Sequence, residues 1–242
     1  MHMAEVALII NSCKAFYQTT IPRIISSCKD ANIPSSNIYV VVGDCDEETE
    51  LQKTDDYNIV FTRYVNIDYN GVIYFTQTKQ GLAELEKYSH FFYIHDTCIV
   101  LEHFWTTLYS YVNKCETYIK LNDTGSKNMG LLNVKWFIAE KKELFSYYIN
   151  YDKSLQMRYK DGNFPNKDII YQKFNNLPRW LNEDCIFICK PQHIPLGDIF
   201  SNTKNEYMEK IYSDEPRLVQ EFRELGLIKY QRNWGGPWKL TL

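Results

Sequence analysis

A single α/β domain with a mainly parallel central sheet flanked by helices is predicted by three features of the sequence. Val6-Ala7-Leu8-Ile9-Ile10 and Ile38-Tyr39-Val40-Val41-Val42 are apolar runs without alternation, the pattern of strands buried on both faces. Between them Ile21, Ile24, Ile25 and Cys28 recur at helical spacing. Strand, helix and strand in so short a stretch predict one βαβ unit with a right-handed crossover.

Taken in order, the first strand ends at Asn11-Ser12-Cys13. Thr20 stands before Ile21-Pro22 and reads as an N-cap with proline in the first helical turn, while Asn32, Pro34, Ser35 and Ser36 close that helix. Gly43-Asp44 closes the second strand. A third strand is expected from Ile59 to Tyr64, after which Gly71 interrupts and Leu82, Leu85 and Tyr88 mark an amphipathic helix. Phe91-Phe92-Tyr93-Ile94 is another buried strand that runs straight into His95-Asp96-Thr97, with Phe104, Leu108 and Tyr111 at helical spacing beyond it. The second half predicts a strand at Tyr118 to Leu121, a loop around Gly125 and Gly130, and a helix from about Trp136 to Tyr148. Helices around Asp168 to Phe174 and Arg217 to Leu225, a strand at Ile186 to Lys190 and an aromatic tail from Tyr230 to Trp238 complete the expectation.

Composition removes several function classes. With 27 Lys+Arg against 30 Asp+Glu the net charge is −3, so the basic footprint of a nucleic-acid binder is missing. The longest apolar runs fall far short of the about 20 residues a membrane helix requires, and no export pattern precedes the first strand. A soluble chain is therefore expected. The seven cysteines are odd in number and lack close paired spacing, which predicts reduced thiols in a cytoplasm-like compartment rather than a disulfide framework. Cys185 and Cys189 share one face of a strand, yet no second ligand pair accompanies them, so they read as core rather than zinc ligands. A dinucleotide-binding dehydrogenase or methyltransferase is disfavoured because the loop after the first strand has no glycine between Asn11 and Thr20.

In open α/β sheets ligands bind outside the carboxyl ends of the strands. Three polar strand ends are thus candidates to converge: Asn11-Ser12, Gly43-Asp44 and His95-Asp96-Thr97. Asp44 is suited to accept hydrogen bonds from a ribose or base; alternatively Asp44 and Asp46 form a turn and cap a following helix. Tyr, Phe and Trp make up 15% of the chain, and such rings serve both core packing and flat contacts with sugars or bases.

Around His95 the sequence resembles glycosyltransferases of the A-type (GT-A) fold, in which an apolar strand runs into an Asp-x-Asp motif that holds a divalent metal on the donor diphosphate. Phe75-Thr76-Gln77-Thr78-Lys79-Gln80-Gly81-Leu82-Ala83 is similar to the family's donor-contacting segment before that strand, and Glu102-His103-Phe104-Trp105 to the continuation after it. The resemblance implies a single Rossmann-like glycosyltransferase domain, with a donor-binding half at about 5–115 and an acceptor and catalytic half at about 116–242. It implies Lys79 and Gly81 as donor-binding residues, beside Asn11, Ser12 and Asp44 of the strand ends. His95-Asp96-Thr97 departs from the motif, since only Asp96 supplies a carboxylate; by the resemblance His95 and Asp96 take Mn²⁺ or Mg²⁺, and otherwise His95 caps the strand end.

Further along, Gly130-Leu131-Leu132-Asn133 resembles the segment beneath the acceptor sugar and Asn166-Lys167-Asp168-Ile169-Ile170-Tyr171 an Asp-bearing helix start, followed by Leu177-Pro178-Arg179-Trp180. Asn133, Asp168 and Trp180 are then acceptor-side residues. Glu183-Asp184 is similar to the acidic pair that serves inverting members as general base, needed because a hydroxyl is a poor nucleophile until its proton is taken; the other reading is two solvated loop acids. Tyr230 to Trp238 resembles a C-terminal segment that closes over the diphosphate in retaining members. There Arg232 would bind phosphate and Trp234 stack on a sugar, or the tail packs on the core.

The implied function is transfer of a sugar from a UDP- or GDP-sugar to a hydroxyl of a glycan or protein. The alternative is a catalytically inactive module of the same fold that holds a glycan or a partner protein.

Overall fold

The computed structural model of the protein describes residues 6–64, 69–120, 129–149, 218–222 and 225–230. Their elements run β1 (Val6–Cys13), α1 (Tyr17–Asp30), β2 (Ile38–Gly43), β3 (Gln52–Lys53), β4 (Asn58–Phe61), α2 (Asn70–Gln77), α3 (Lys79–Leu85), β5 (His90–His95), β6 (Cys98–Val100), α4 (Phe104–Val112), β7 (Tyr118–Lys120), β8 (Gly130–Asn133), α5 (Val134–Ile149), β9 (Leu218–Phe222) and β10 (Leu227–Tyr230). Seven strands form one sheet in the order β3-β4-β2-β1-β5-β8-β7, and β6-β10-β9 form a second, antiparallel sheet. Within the large sheet β4, β2, β1 and β5 are mutually parallel, whereas β3 and β8 run antiparallel to their neighbours at either side.

The unbroken apolar runs have a direct physical cause. Val6, Leu8 and Ile10 point to one face of β1, where they meet Ile21, Ile24, Ile25 and Cys28 of α1 and Phe104, Leu108 and Val112 of α4. Ala7 and Ile9 point to the other, against Val72, Ile73 and Phe75 of α2 and Phe137 and Phe145 of α5. Because helices cover both faces, every residue of the strand up to Ser12 is buried, and alternation would place polar groups in the core. The predicted α/β class, with its mainly parallel sheet flanked by helices, is the fold observed.

Local chemistry alters several predicted boundaries. α1 begins at Tyr17, three residues before Thr20, and Pro22 lies inside it. Thr20 is not its N-cap: the hydroxyl is within bonding distance of the Phe16 carbonyl at 3.0 Å and of Asp96 at 2.7 Å. The helix ends where Asn32 takes a left-handed conformation (φ 55°), with Ile33 N–H donating to Cys28 and Asn32 N–H to Lys29 carbonyl oxygens, the pairing of a Schellman cap.

Gly71 to Tyr88 is two helices rather than one. Thr78 turns extended (φ −102°, ψ 147°) and its hydroxyl oxygen accepts from Gly81 N–H, starting α3. No helix follows Asp44 and Asp46; the next element is the two-residue β3. The segment expected to be a helix from Arg217 to Leu225 contains strand β9, because Gly226, at φ +81°, turns the chain so that β9 pairs with β10. The expected elements between Asp168 and Lys190, and the tail beyond Tyr230, lie outside the described residues.

Candidate functional site

Strand order creates the candidate site. From β1 the chain steps outward through β2 to β4, then returns to the other side of β1 as β5. Loops leaving β1 and β5 therefore diverge, and the carboxyl ends at such a reversal are where open α/β sheets leave a crevice. The parallel register aligns Asn11 with His95 and Cys13 with Gly43. Asn11, Ser12, Asp44, His95 and Asp96 thus share one rim, as expected from the sequence.

Pleating divides these residues between two faces. Ser12 continues the Val6-Leu8-Ile10 face toward α1, and its hydroxyl donates to Asp96 Oδ2 at 2.6 Å. Thr20, in the first turns of α1, reaches the same oxygen at 2.7 Å. Asp96 N–H also donates to the Asn11 carbonyl at 3.0 Å. The carboxylate therefore braces β5, β1 and α1 together.

Asn11 faces the other way. Only 3% exposed, its side-chain oxygen accepts from Gly71 N–H at 2.9 Å, seating the start of α2 on the sheet. Gly71 must lack a side chain there, since a Cβ would lie 2.9 Å from the Tyr93 ring and 3.1 Å from Ile9. Gly43 is constrained more severely: a Cβ would fall 1.8 Å from Asn70 Nδ2 and 2.7 Å from the Tyr64 carbonyl oxygen. Beyond it Asp44 is left-handed (φ 60°) and donates its N–H to Tyr64, a conformation aspartate tolerates better than most residues. Lys14 and Asp46 form an exposed ion pair joining the loops after β1 and β2.

His95 closes β5 on the Tyr93 face, with the two rings 6.3 Å apart edge to face. Its Nε2 is sealed from water and has no hydrogen-bond partner among the described residues. Burial, aided by the charge of Lys229, pushes its pKa down to about 3, so the ring is neutral at neutral pH. Lys229 itself was missed by sequence reasoning. It lies in β10, in register with Cys98 just past the β5 tip, and is 5% exposed. Nothing within 100 residues of it in sequence signals that neighbour; the only local cue was a lysine inside the Leu227-Ile228-Lys229-Tyr230 run.

The metal expectation can be tested against this donor set. Asp96 and His95 are adjacent on a strand end and diverge, one toward Ser12 and Thr20, the other along the Tyr93 face. One carboxylate oxygen already accepts two hydroxyls, and a lysine charge bears on the imidazole. Among the described residues no group of three His, Cys, Asp or Glu side chains is placed to hold a metal ion. The described residues do not fit a protein-built Mn²⁺ or Mg²⁺ site at this position.

Other expected site residues are not at the rim. α2 starts against Asn11 and runs antiparallel to the strands, so that Phe75 packs 5.4 Å from Tyr39 near the opposite end of β2. An eight-residue helix spans about 12 Å, which leaves Lys79 and Gly81 on the far side. Lys79 is exposed. Gly81 serves helix packing, because a Cβ would lie 2.4 Å from the Tyr74 carbonyl oxygen. Asn133 is paired with His90 at the start of β5; its side-chain oxygen accepts from Trp136 N–H at 3.0 Å and so caps α5. Asp168, Trp180, Glu183, Asp184, Arg232 and Trp234 lie outside the described residues.

No family model and no curated protein matches the chain. Among solved structures it is similar to residues 1–349 of S. aureus TarS, with a TM-score of 0.34 and 10% identity over 57% of this chain. The matched part spans about half of that structure, 51%, and a likeness of this degree carries no argument about activity. No helix among the described residues is long and apolar enough to cross a membrane.

Proposed function

We propose that this chain is a nucleotide-sugar-dependent glycosyltransferase that moves a sugar from a UDP- or GDP-sugar to a hydroxyl of a glycan or protein. The observation that carries the reading is the parallel register bringing Ser12, Asp44 and Asp96 to one rim where the strand order reverses. Asp44 is the candidate partner for the ribose or base. Asp96, braced by Ser12 and Thr20, sets the shape of the crevice floor.

In the proposed reaction the acceptor oxygen forms a bond to the anomeric carbon as the bond to the phosphate oxygen breaks. The electron pair leaves with the diphosphate, and the acceptor proton passes to a general base, the role assigned to Glu183-Asp184. No step here is routed through a metal.

Thermal unfolding with a panel of UDP- and GDP-sugars tests the reading, because a ligand that binds the folded state alone must stabilise it. A raised melting temperature together with donor hydrolysis is expected, and Asp184→Asn should reduce turnover about 100-fold or more while binding persists. No shift with any member, in Mn²⁺ or in chelator, would sink the proposal. A second reading, a binding module of the same fold, is favoured by the commitment of Asp96 to internal hydrogen bonds; glycan binding without any turnover of bound donor would select it.

A further inference from the structure

We propose that Asn70-Gly71, at the start of α2, is a spontaneous modification site that the fold holds dormant: release of the Gly71 amide from Asn11 lets Asn70 convert to aspartate and isoaspartate. The inference stands apart from the glycosyltransferase reading and concerns the chemical lifetime of the rim.

Asn70-Gly71 is the one asparagine-glycine pair in the chain. In a flexible segment such a pair is chemically unstable. The Gly71 nitrogen, once base has taken its proton, attacks Asn70 Cγ. The new N–Cγ bond closes a five-membered succinimide as the Cγ–Nδ2 bond breaks, and ammonia leaves with the proton returned to it through solvent. Water then adds across either imide C–N bond, giving aspartate or isoaspartate. No oxidant, metal or enzyme enters the balance. Glycine favours the step because it has no side chain to shield the nitrogen and leaves the backbone free to rotate.

Each part of that step is opposed in the fold. Asn70 and Gly71 open α2, and closing the imide requires turning the Asn70 Cα–C bond away from its helical angle. The Gly71 N–H is held at 2.9 Å by the Asn11 side-chain oxygen, in a buried bond. The Asn70 amide lies against the Gly43 backbone, so near that a Cβ on Gly43 would overlap both Nδ2 and Cγ; its Cγ has little room to swing. Asn70 is 1% exposed, which keeps base and water away. Beyond it Val72, Ile73 and Phe75 anchor the helix in the core. Asn11 is the restraint applied to the attacking atom itself, and it comes from a strand fixed between β2 and β5. Conversion to isoaspartate is one-way: it adds a carbon to the main chain between residues 70 and 71, so that the Gly71 N–H no longer meets Asn11.

Peptide mass spectrometry of the full chain after timed incubation at mildly alkaline pH tests this, with electron-transfer fragmentation separating isoaspartate from aspartate. Asn70 should stay intact in the native wild type and convert in the urea-denatured chain. In folded Asn11→Ala it should convert about tenfold faster than in the folded wild type, the change that loss of one buried hydrogen bond makes to a local opening equilibrium. Ser27→Ala serves as the control for general loosening. It removes the bond from Val100 N–H to the Ser27 hydroxyl, on the opposite face of the sheet, and should leave Asn70 at the wild-type rate. The proposal is overturned by a native wild type that converts as fast as the denatured chain, by a denatured chain that leaves Asn70 intact, or by Asn11→Ala at the wild-type rate. Equal acceleration in Ser27→Ala and Asn11→Ala overturns it too, since conversion would then report global unfolding alone. Should Asn11→Ala fail to fold, the wild type in urea below its unfolding midpoint decides: conversion that rises along the native baseline supports local release, and conversion that stays flat up to the midpoint overturns it.

Discussion

Ser12 and Asp96, 84 residues apart in sequence, are joined at 2.6 Å by a hydroxyl-to-carboxylate hydrogen bond that ties the end of β1 to the end of β5. With Thr20 on the same oxygen, this makes Asp96 a structural keystone of the rim. Loss of activity in an Asp96 variant would thus mix folding with function.

Removing the brace should cost stability in steps. Hydrogen bonds to a charged group contribute about 1.5–3 kcal/mol each where they are shielded from water. Asp96→Ala should lower the unfolding free energy by about 3 kcal/mol or more, and Ser12→Ala by about 1.5 kcal/mol or more, as read from urea midpoints at constant slope. Equal midpoints for Asp96→Ala and wild type would show that the carboxylate does not brace the strands.

A pH dependence follows from His95. Its folded-state pKa, about 3, lies below the ordinary 6.5, so between those values the unfolded chain binds a proton that the folded one refuses. Stability therefore rises with pH through that window and is lost as pH falls from about 6.5 toward 3, by up to about 1.4 kcal/mol per pH unit. Burial lowers His90 as well, which adds in the same direction. Urea titrations between pH 4.5 and 7, with His95→Leu flattening part of the slope, check the sign. A His95 ring that titrates near 6.5 by NMR contradicts it.

Glycine substitutions should rank by the atoms they meet. Gly43→Ala would drive a methyl group to within 1.8 Å of Asn70 Nδ2 and 2.7 Å of a backbone oxygen, and overpacking of this kind costs about 1–3 kcal/mol or more. Gly71→Ala meets only the Tyr93 ring and Ile9, at 2.9 and 3.1 Å, and should cost less. Asn70→Ala should rescue part of the Gly43→Ala loss and none of the Gly71→Ala loss. Circular-dichroism melts of the four variants measure this.

Thiol reactivity should separate along burial. Cys28, Cys98 and Cys115 are buried, and burial pushes each of their pKa values up to about 12. Because the thiolate is the reactive form, iodoacetamide at pH 8 should leave these three unmodified in the native protein and label them after denaturation. Cys13, which is partly exposed, should react first among the described cysteines. Peptide mass spectrometry gives the order of labelling.

Much of the site's framework was legible in the sequence, for a physical reason. Strands covered by helices on both sides must be apolar at every position, so β1, β2 and β5 announce themselves without partners being known. Of their polar ends, Asp44, His95 and Asp96 lie where burial lessens, whereas Asn11 and Ser12 are still buried and commit their polar groups to internal hydrogen bonds. Less legible were features set by competition between local and distant groups. Thr20 has the chemistry of an N-cap, yet it sits within α1 and reaches Asp96; Thr78 lies in a helical pattern, yet its hydroxyl starts a new helix because Gly81 admits close packing.

The amino-acid order by itself determined the α/β class, the βαβ start and the identity of the strand ends, since each follows from solvation of nearby side chains. Only the tertiary structure decided which of those ends became neighbours. It placed Asn133 and Lys79 away from the rim, committed Asp96 to Ser12 and Thr20, and brought Lys229 to Cys98. Such choices depend on strand order and register between segments far apart in the chain, and hydrogen-bonded pairing of that kind leaves no periodicity in either partner alone.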